Sequence, residues 1–396
     1  MHTIKAESAG FSAERLGRIR PALQRYIDDG RIAGMATLIA RHGRVIHCEA
    51  YGLMDLEAER PMTTDGIVRI YSMSKPITSV AAMMLHEEGR FLLSEPVSAF
   101  LPEFADVEVY AGEGPDGPRT VPLERPITMH HLFTHTAGLA YGLDRSTPVD
   151  AMYQDVNARR RRPPTLATWI HDLAEMPLIF QPGTVWKYSM ATDVLGRVVE
   201  VISGQSLDAY FRERIFEPLG MDDTGFSVAK GQADRLCTMY AVGDEGLVRA
   251  SGPQPNDYLR KPVLLSGGGG LVSTAHDYWR FAQMLLNGGS LDGVRLLGPR
   301  TVAFMTRNHL RADLLPFGDR EATGAGFGLG FEVILDPALA RCLGSAGSFS
   351  WSGLAGTDFW VDPQEDLVAI IMPQVLACPY PIGPLFRTLV YQALDC

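Results

Sequence analysis

The chain reads as an α/β protein of the α+β kind, with one antiparallel sheet assembled from both chain ends, flanked by helices and interrupted by a mainly helical insertion. Three observations predict this. Two β-rich runs stand together near the N-terminus, three more lie near the C-terminus, and between residue 72 and about residue 220 every clear periodicity is helical.

The elements follow in order. Leu16, Ile19, Leu23 and Ile27 recur at helical spacing, with Ser12 placed to cap the helix and Gly30 to stop it. Runs 34–40 and 45–51, joined through His42-Gly43, form a hairpin. The insertion supplies helices over 77–88, 129–135, 165–174, 191–203 and 207–216, separated by Pro- and Gly-rich loops, chiefly 110–126. Thr274 and Asp277 stand at capping-box spacing and open a helix that ends at Gly288-Gly289. Runs 327–334, 356–361 and 367–372 read as strands, Asp362-Pro363 as the turn between the last two, and 384–393 as the closing helix. Residues 1–70 and 225–396 are thus expected to form the sheet domain and 71–224 the helical one, with the binding cleft between them. No internal repeat is visible.

Composition excludes several classes. A net charge of −10 offers no positive field to recruit phosphates, so nucleic acid is not an expected partner. The one basic block, four arginines at 159–162 followed by Pro163-Pro164, reads as a solvated loop. That loop, 151–164, and loop 110–126 are expected to shape the cleft mouth. Five widely spaced cysteines form no C-x-x-C pair, which fits reduced thiols in a cytoplasm. The opening MHTIKAESAG lacks the apolar core of a signal peptide, and no apolar run approaches the roughly 18 residues of a membrane span. A soluble, cytoplasmic protein with no membrane partner is expected; the oligomeric state is not legible.

The chemistry starts at YSMSKPITSVAAMML, residues 71–85. Of 36 basic residues only five are lysines, and one of them, Lys75, follows Ser72 by three positions at the head of an apolar helix. On a helix the pair shares one face, and the helix N-terminus adds partial positive charge beside the serine. Pro76 is tolerated in a first turn, and Val80, Met83, Met84 and Leu85 would anchor the helix behind. A serine becomes a nucleophile only when a base takes its proton. S-x-x-K alone is weak, since Ser227 and Lys230 match it too, between glycines and without an apolar stripe; Ser72 by itself reads equally as a helix cap.

Other motifs carry less. His131 and His135 have a spacing that can bind zinc but lack the Glu of H-E-x-x-H, so they read as structural and no metal is expected. The four glycines at 267–270 have no following Lys-Ser/Thr and read as a tight backbone approach. No serine sits in G-x-S-x-G. Trp186, Phe180, Tyr141, Phe226 and Trp360 are candidates for an acyl pocket, though each by itself reads more readily as core.

Two further stretches give Ser72 its context. GTVWKYSMATDVLG (183–196) places Tyr188 just before a helical run, and GSFSWSGLAGTDFWVDP (347–363) places a small-residue turn against a hairpin. A Ser-x-x-Lys helix, then this Tyr, then a W-x-G strand resembles the serine β-lactamase and penicillin-binding-protein superfamily. It resembles most closely the family VIII carboxylesterases, which share the class C β-lactamase fold. ITMHHLFTHTAGL (127–139), EPLGMDDTGF (217–226) and SGGGGLVSTAHDYWRFAQMLLNGG (266–289) extend the resemblance over nearly the whole chain.

The resemblance implies a β-lactamase-like fold with Ser72 as acylated nucleophile and Lys75 with Tyr188 as its base. It implies an oxyanion hole from the backbone N–H groups of Ser72 and Leu354, and no cofactor. Electrostatics allow the pairing: a free phenol titrates near pH 10, and one ammonium at about 4 Å in an effective dielectric near 20 offsets about 4 kcal/mol, three units' worth. Lys187, next to Tyr188, is expected to point elsewhere. Trp351, Ser352 and Gly353 stand where β-lactamases carry Lys-Thr/Ser-Gly. Met190 stands where they carry the Asn of Tyr-x-Asn, and none of the thirteen tyrosines is followed two places later by Asn. With Tyr141, these residues are expected to bind substrate in a cleft more apolar than a β-lactamase's. The expected activity is hydrolysis of short-chain or aryl carboxylic esters, small-molecule substrates, through an acyl-enzyme. A β-lactamase, D-amino-acid peptidase or acyltransferase on the same fold, and a non-catalytic penicillin-recognising module, are the alternatives.

Overall fold

The computed structural model describes residues 3–115, 117–142, 147–159, 163–250, 258–318 and 323–395, with backbone alone for 156–159. Helix α1 (Ile19–Asp28) leads into the hairpin β1 (Gly34–Arg41) and β2 (Arg44–Asp55), followed by the short β3 (Arg60–Pro61). The helical middle contains α2 (Ser74–Glu87) and α3 (Ala191–Ser203), and α4 (Ala275–Leu286) returns the chain to the sheet. Strands β4 (Ala325–Phe327), β5 (Glu332–Ile334), β6 (Phe349–Ser352), β7 (Asp358–Asp362) and β8 (Leu367–Pro373) follow, and α5 (Ile382–Tyr391) closes the fold. The sheet runs β4-β5-β6-β7-β8-β1-β2-β3, so the two chain ends meet where β8 pairs antiparallel with β1.

No residue of β1 or β8 is exposed, because the sheet is covered on both faces. Ala36, Leu38 and Ala40 with Val368, Ile370 and Met372 face the larger core, on the side of α2, α3 and α4. Met35 and Ile39 with Ala369 and Ile371 face α1 and α5, against Ile19, Leu23, Phe386 and Val390. Period-two alternation thus feeds two cores from each strand. No described helix is long and apolar enough to cross a membrane.

Several expectations change. The first helix is broken: Ser12 caps a turn, Ala13–Leu16, and the helix restarts at Ile19. The apolar run 327–334 is two strands joined by a turn in which Gly330 (φ +93°) packs on α2; a Cβ there would meet Ser79 Oγ at 2.1 Å. Segment 110–126, read as a loop, contains an antiparallel hairpin, Val109–Gly114 with Gly117–Val121. Segment 151–164, also read as a loop, is largely helix, Pro148–Arg159; Arg160, Arg161 and Arg162 lie outside the described residues. The helix at 207–219 runs α over Leu207–Phe211, then through a π turn, Arg212–Phe216.

On the face of β7 toward α5, Asp358 stands directly opposite Ser352 of β6. Burial pushes its carboxyl from an ordinary 3.8 up to about 7, with Arg387 pulling the other way and Glu332 reinforcing the rise. A raised folded-state value contributes stability below about pH 4 that is lost as pH climbs through about 7. Asp358→Asn is therefore expected to raise the Tm at pH 8 by a few degrees and to flatten the Tm profile between pH 4 and 7. Thermal scans across that range check it.

Candidate active site

Val68 and Arg69 pair antiparallel with Ser273 and Val272, which binds the segment before Ser72 to the one after the glycine run. Tyr71 then takes a left-handed conformation (φ +40°), uncommon for a bulky buried side chain, and opens a 3-10 turn, Tyr71–Met73. Ser72 sits in that turn, ahead of α2 rather than on it as the spacing suggested. The turn still delivers the pair: Lys75 Nζ donates to Ser72 Oγ at 3.2 Å. Every side chain of α2 from Ser74 to Leu85 is buried, so the helix has no freedom to rotate away.

Tyr188 arrives from the segment before α3, and its hydroxyl donates to Ser72 Oγ at 2.7 Å. The backbone holds it on both sides: Lys187 N–H donates to His135 O and Met190 N–H to Ala140 O. The Lys187 ammonium lies 3.6 Å from the Asp150 carboxylate, away from Ser72 as expected. The third segment is fixed by a glycine. A Cβ on Gly353 would stand 2.4 Å from Ile70 O and 2.3 Å from Thr357 Oγ1, so only glycine lets β6 run this close to the turn carrying Ser72. Leu354 follows at the cleft wall, its carbonyl accepting from Ala377 N–H.

The glycine run at 267–270 proves to be part of the same site. Lys75 Nζ donates to Gly268 O at 2.6 Å, Thr78 Oγ1 donates to Gly267 O, and Leu271 N–H donates to Ser74 Oγ. Asp193, on α3, accepts from Ser266 Oγ at 2.6 Å and from Gly268 N–H at 3.1 Å. The tight backbone approach expected of the glycine run is thus found, but its place beside Lys75 and the part of Asp193 were not read from the sequence. The available signal was an acid on the buried stripe of an otherwise apolar helix.

Lys75 is fully enclosed, and burial works against its charge; Tyr141, Tyr188 and Asp193 outweigh that and hold its pKa above the ordinary lysine value. Tyr141 is pushed up to about 12, mainly by burial, with Lys75 opposing. Its ring stacks on Tyr188 with centroids 5.3 Å apart, and the Lys75 ammonium lies 4.6 Å from the Tyr188 centroid and 5.3 Å from that of Tyr141. His135 and Trp351 pack against the same phenol at 4.9 and 5.5 Å. His135, in a left-handed turn of its own, is held well below its usual pKa by burial and then by Lys75, so it stays neutral near pH 7. Its Nδ1 lies 3.3 Å from Ser189 Oγ, and among the described residues no histidine hydrogen-bonds Ser72.

These groups form the floor of a cleft of about 510 Å³, lined by Ser72, Tyr141, Tyr188, Met190, Trp351, Ser352, Gly353 and Leu354. Gln154 and Trp169 join them from helices Pro148–Arg159 and Leu166–Ala174, and Asp193 and Ser266 also border the cleft, so the wall expected from loop 151–164 is helical; among the described residues hairpin 109–121 contributes none. Of the five pocket aromatics only Tyr141 lines the cleft. Trp186 packs on Phe317 and Phe327, Phe226 stacks on Phe211, and Trp360 is buried against Phe386 on the far face of the sheet; Phe180 lies off the lining. The second S-x-x-K copy lies in a loop, with Lys230 exposed. His131 closes a capping box with Thr128, and the helix ends at Phe133, so His135 shares no helical face with it.

A hydroxyl hydrogen-bonded to a phenol and an ammonium on a cleft floor can exchange its proton and attack an acyl carbon. Comparison with known proteins bears on that chemistry. A family model described as Beta-lactamase matches residues 19–377. Protein Rv1367c of Mycobacterium tuberculosis is 36% identical over 364 residues, covering 90% of this chain and 89% of its own. Esterase EstB of Burkholderia gladioli is 32% identical over 391 residues, covering 91% of each. The solved structure of EstCE1, described as a hydrolase with promiscuous acyltransferase activity, superposes with a TM-score of 0.82 at 30% identity, covering 96% of this chain and 99% of that one.

Tyr188→Phe keeps the ring stack and removes only the hydroxyl against Ser72. Labelling of Ser72 by a fluorophosphonate is expected to slow by about 10²-fold or more with little change in Tm, the usual scale of a lost acid–base group. Mass-resolved labelling rates measure it; labelling at the wild-type rate would remove the phenol from the chemistry.

Proposed function

The chain belongs to the Beta-lactamase family, and from that membership we propose a serine carboxylesterase that cleaves short-chain or aryl esters through an acyl-enzyme. The family and its esterase relatives make it a serine hydrolase of the β-lactamase fold. The observation that carries the finer reading is the meeting of Ser72, Lys75 and Tyr188 at one point of the cleft floor, with hydrogen bonds of 3.2 and 2.7 Å.

Lys75 and Tyr188 act together as the base, and the hydrogen bond between Tyr188 and Ser72 reverses. The Ser72 proton passes to this pair as Oγ bonds to the ester carbonyl carbon, and the carbonyl electrons move onto oxygen. The N–H groups of Ser72 and Leu354 hold that oxyanion, a large contribution in acyl transfer. The oxyanion collapses, the C–O bond to the alcohol breaks, and the pair returns the proton to the departing oxygen. Water then repeats the sequence: its proton goes to the pair, its oxygen bonds to the acyl carbon, and Ser72 leaves with the proton restored. None of these steps calls on a cofactor.

The walls support an uncharged small-molecule substrate. Among the described residues the cleft lining holds no arginine or lysine, and Trp351, Met190, Trp169 and Tyr141 make it aromatic and apolar. A substrate whose recognition depends on a carboxylate would find no cation at the wall, whereas an ester gains from the apolar surface. The same walls favour an alcohol over water as the second acceptor, so acyl transfer is the second reading. Unpaired Cys48, Cys237, Cys342 and Cys378 support a reducing, cytoplasmic setting.

Comparison of kcat/KM for p-nitrophenyl butyrate and a chromogenic cephalosporin tests the proposal. The ester is expected to exceed the cephalosporin by at least about 10²-fold, as two lost polar substrate contacts imply, and Ser72→Ala to abolish turnover. A preferred cephalosporin would overturn the reading of Trp351 and Met190.

A further inference from the structure

We propose that Asp193 is a positioning residue for Lys75, supplying the counter-charge of its buried ammonium across a single residue, Gly268. This rests on the reading of Ser72 as the nucleophile.

An ammonium enclosed as completely as that of Lys75 needs a compensating anion or a full set of acceptors. Among the described residues no carboxylate lies within ion-pair distance of its Nζ. Its acceptors are Ser72 Oγ and Gly268 O. The titratable groups that face it are Tyr141, Tyr188, His135 and Asp193, and Asp193 is the one carboxyl among them. The Asp193 carboxylate is buried and takes two donors from the glycine loop, the Ser266 hydroxyl and the Gly268 N–H. Gly268 therefore binds the anion with one of its peptide groups and the cation with the next. The arrangement closes only without a side chain at that position, because a Cβ on Gly268 would stand 2.5 Å from Asp193 Oδ2.

The interposed residue matters for the chemistry. A direct ion pair would draw the Lys75 ammonium toward the carboxylate and away from Ser72 Oγ. One residue of separation keeps the charge balanced while the ammonium stays aimed at the hydroxyl and the phenol rings. The sign of the effect follows from Coulomb attraction: removing the anion lowers the pKa of every proton-bearing group beside it.

The test is the pH dependence of Ser72 labelling by a fluorophosphonate, followed by mass, for the wild-type chain, Asp193→Asn and Ser266→Ala. Asn keeps an acceptor for Ser266 and Gly268 while removing the charge. Its labelling profile is expected to move to lower pH by about two units, the scale of one charge removed from about 6 Å away at an effective dielectric near 20, and its maximal rate to fall by about tenfold or more. Ser266→Ala removes one anchor of the carboxylate and no charge, so its rate falls while its profile stays in place. A merely structural Asp193 would lower the Tm and the active fraction but leave the profile of the surviving protein unmoved. Should Asp193→Asn fail to fold, a wild-type labelling rate in Ser266→Ala overturns the inference by itself. A labelled wild-type chain whose profile superposes on that of Asp193→Asn overturns this inference alone; an unlabelled wild-type chain overturns it together with the reading of Ser72.

Discussion

A buried ammonium is costly, and the site is organised around keeping that of Lys75 charged. Four segments far apart in the chain converge to do it: the 3-10 turn with Ser72, the start of α3 with Tyr188 and Asp193, the glycine loop, and the aromatic segment holding His135 and Tyr141. Each contributes an acceptor, a π face or a negative charge, and each is held by backbone hydrogen bonds rather than by the lysine itself. The lysine is the shared neighbour, not the staple.

Two backbone features show how tightly the convergence is built. Tyr71 accepts a left-handed conformation next to the Ser72 hydroxyl, a strain that surrounding packing must hold. Gly353 and Gly268 stand where any Cβ would collide with a backbone oxygen or a carboxylate. These glycines are not there for turn flexibility; they let backbones approach to the distance at which a strand can border the Ser72 turn and a carbonyl can accept a hydrogen bond from the lysine. The floor of the cleft is thus set largely by backbone contacts, while the walls, Trp351, Met190 and Trp169, are side chains. That division explains how one scaffold serves relatives named for different acyl chemistry.

The sheet supports this arrangement from behind. β6 carries Trp351 toward the phenol on one face and Ser352, opposite Asp358, toward α5 on the other. Because β1 and β8 are buried on both faces, the register that joins the two chain ends has no alternative that leaves both cores filled.

Local information carried the parts whose signal is local. Period-two and helical spacings located the N-terminal hairpin, α3 to the residue, and the antiparallel sheet from both ends. The spacing of Ser72 and Lys75, with the order of Tyr188 and Trp351 behind them, marked the residues that the structure brings together. Segments 110–126 and 151–164 read as loops because their apolar positions are few and interrupted by polar and glycine residues, so that packing against Leu178 and around Tyr153 decides them instead of periodicity. The single strand read at 327–334 is folded back by Gly330 meeting Ser79, a contact 251 positions away in sequence. What the sequence determined by itself is which groups are available: which hydroxyl, which cation, which phenol. What only the tertiary structure decided is the electrostatic setting, above all that Asp193 faces Lys75 through Gly268, because charge compensation across a loop depends on distances that no spacing along the chain encodes.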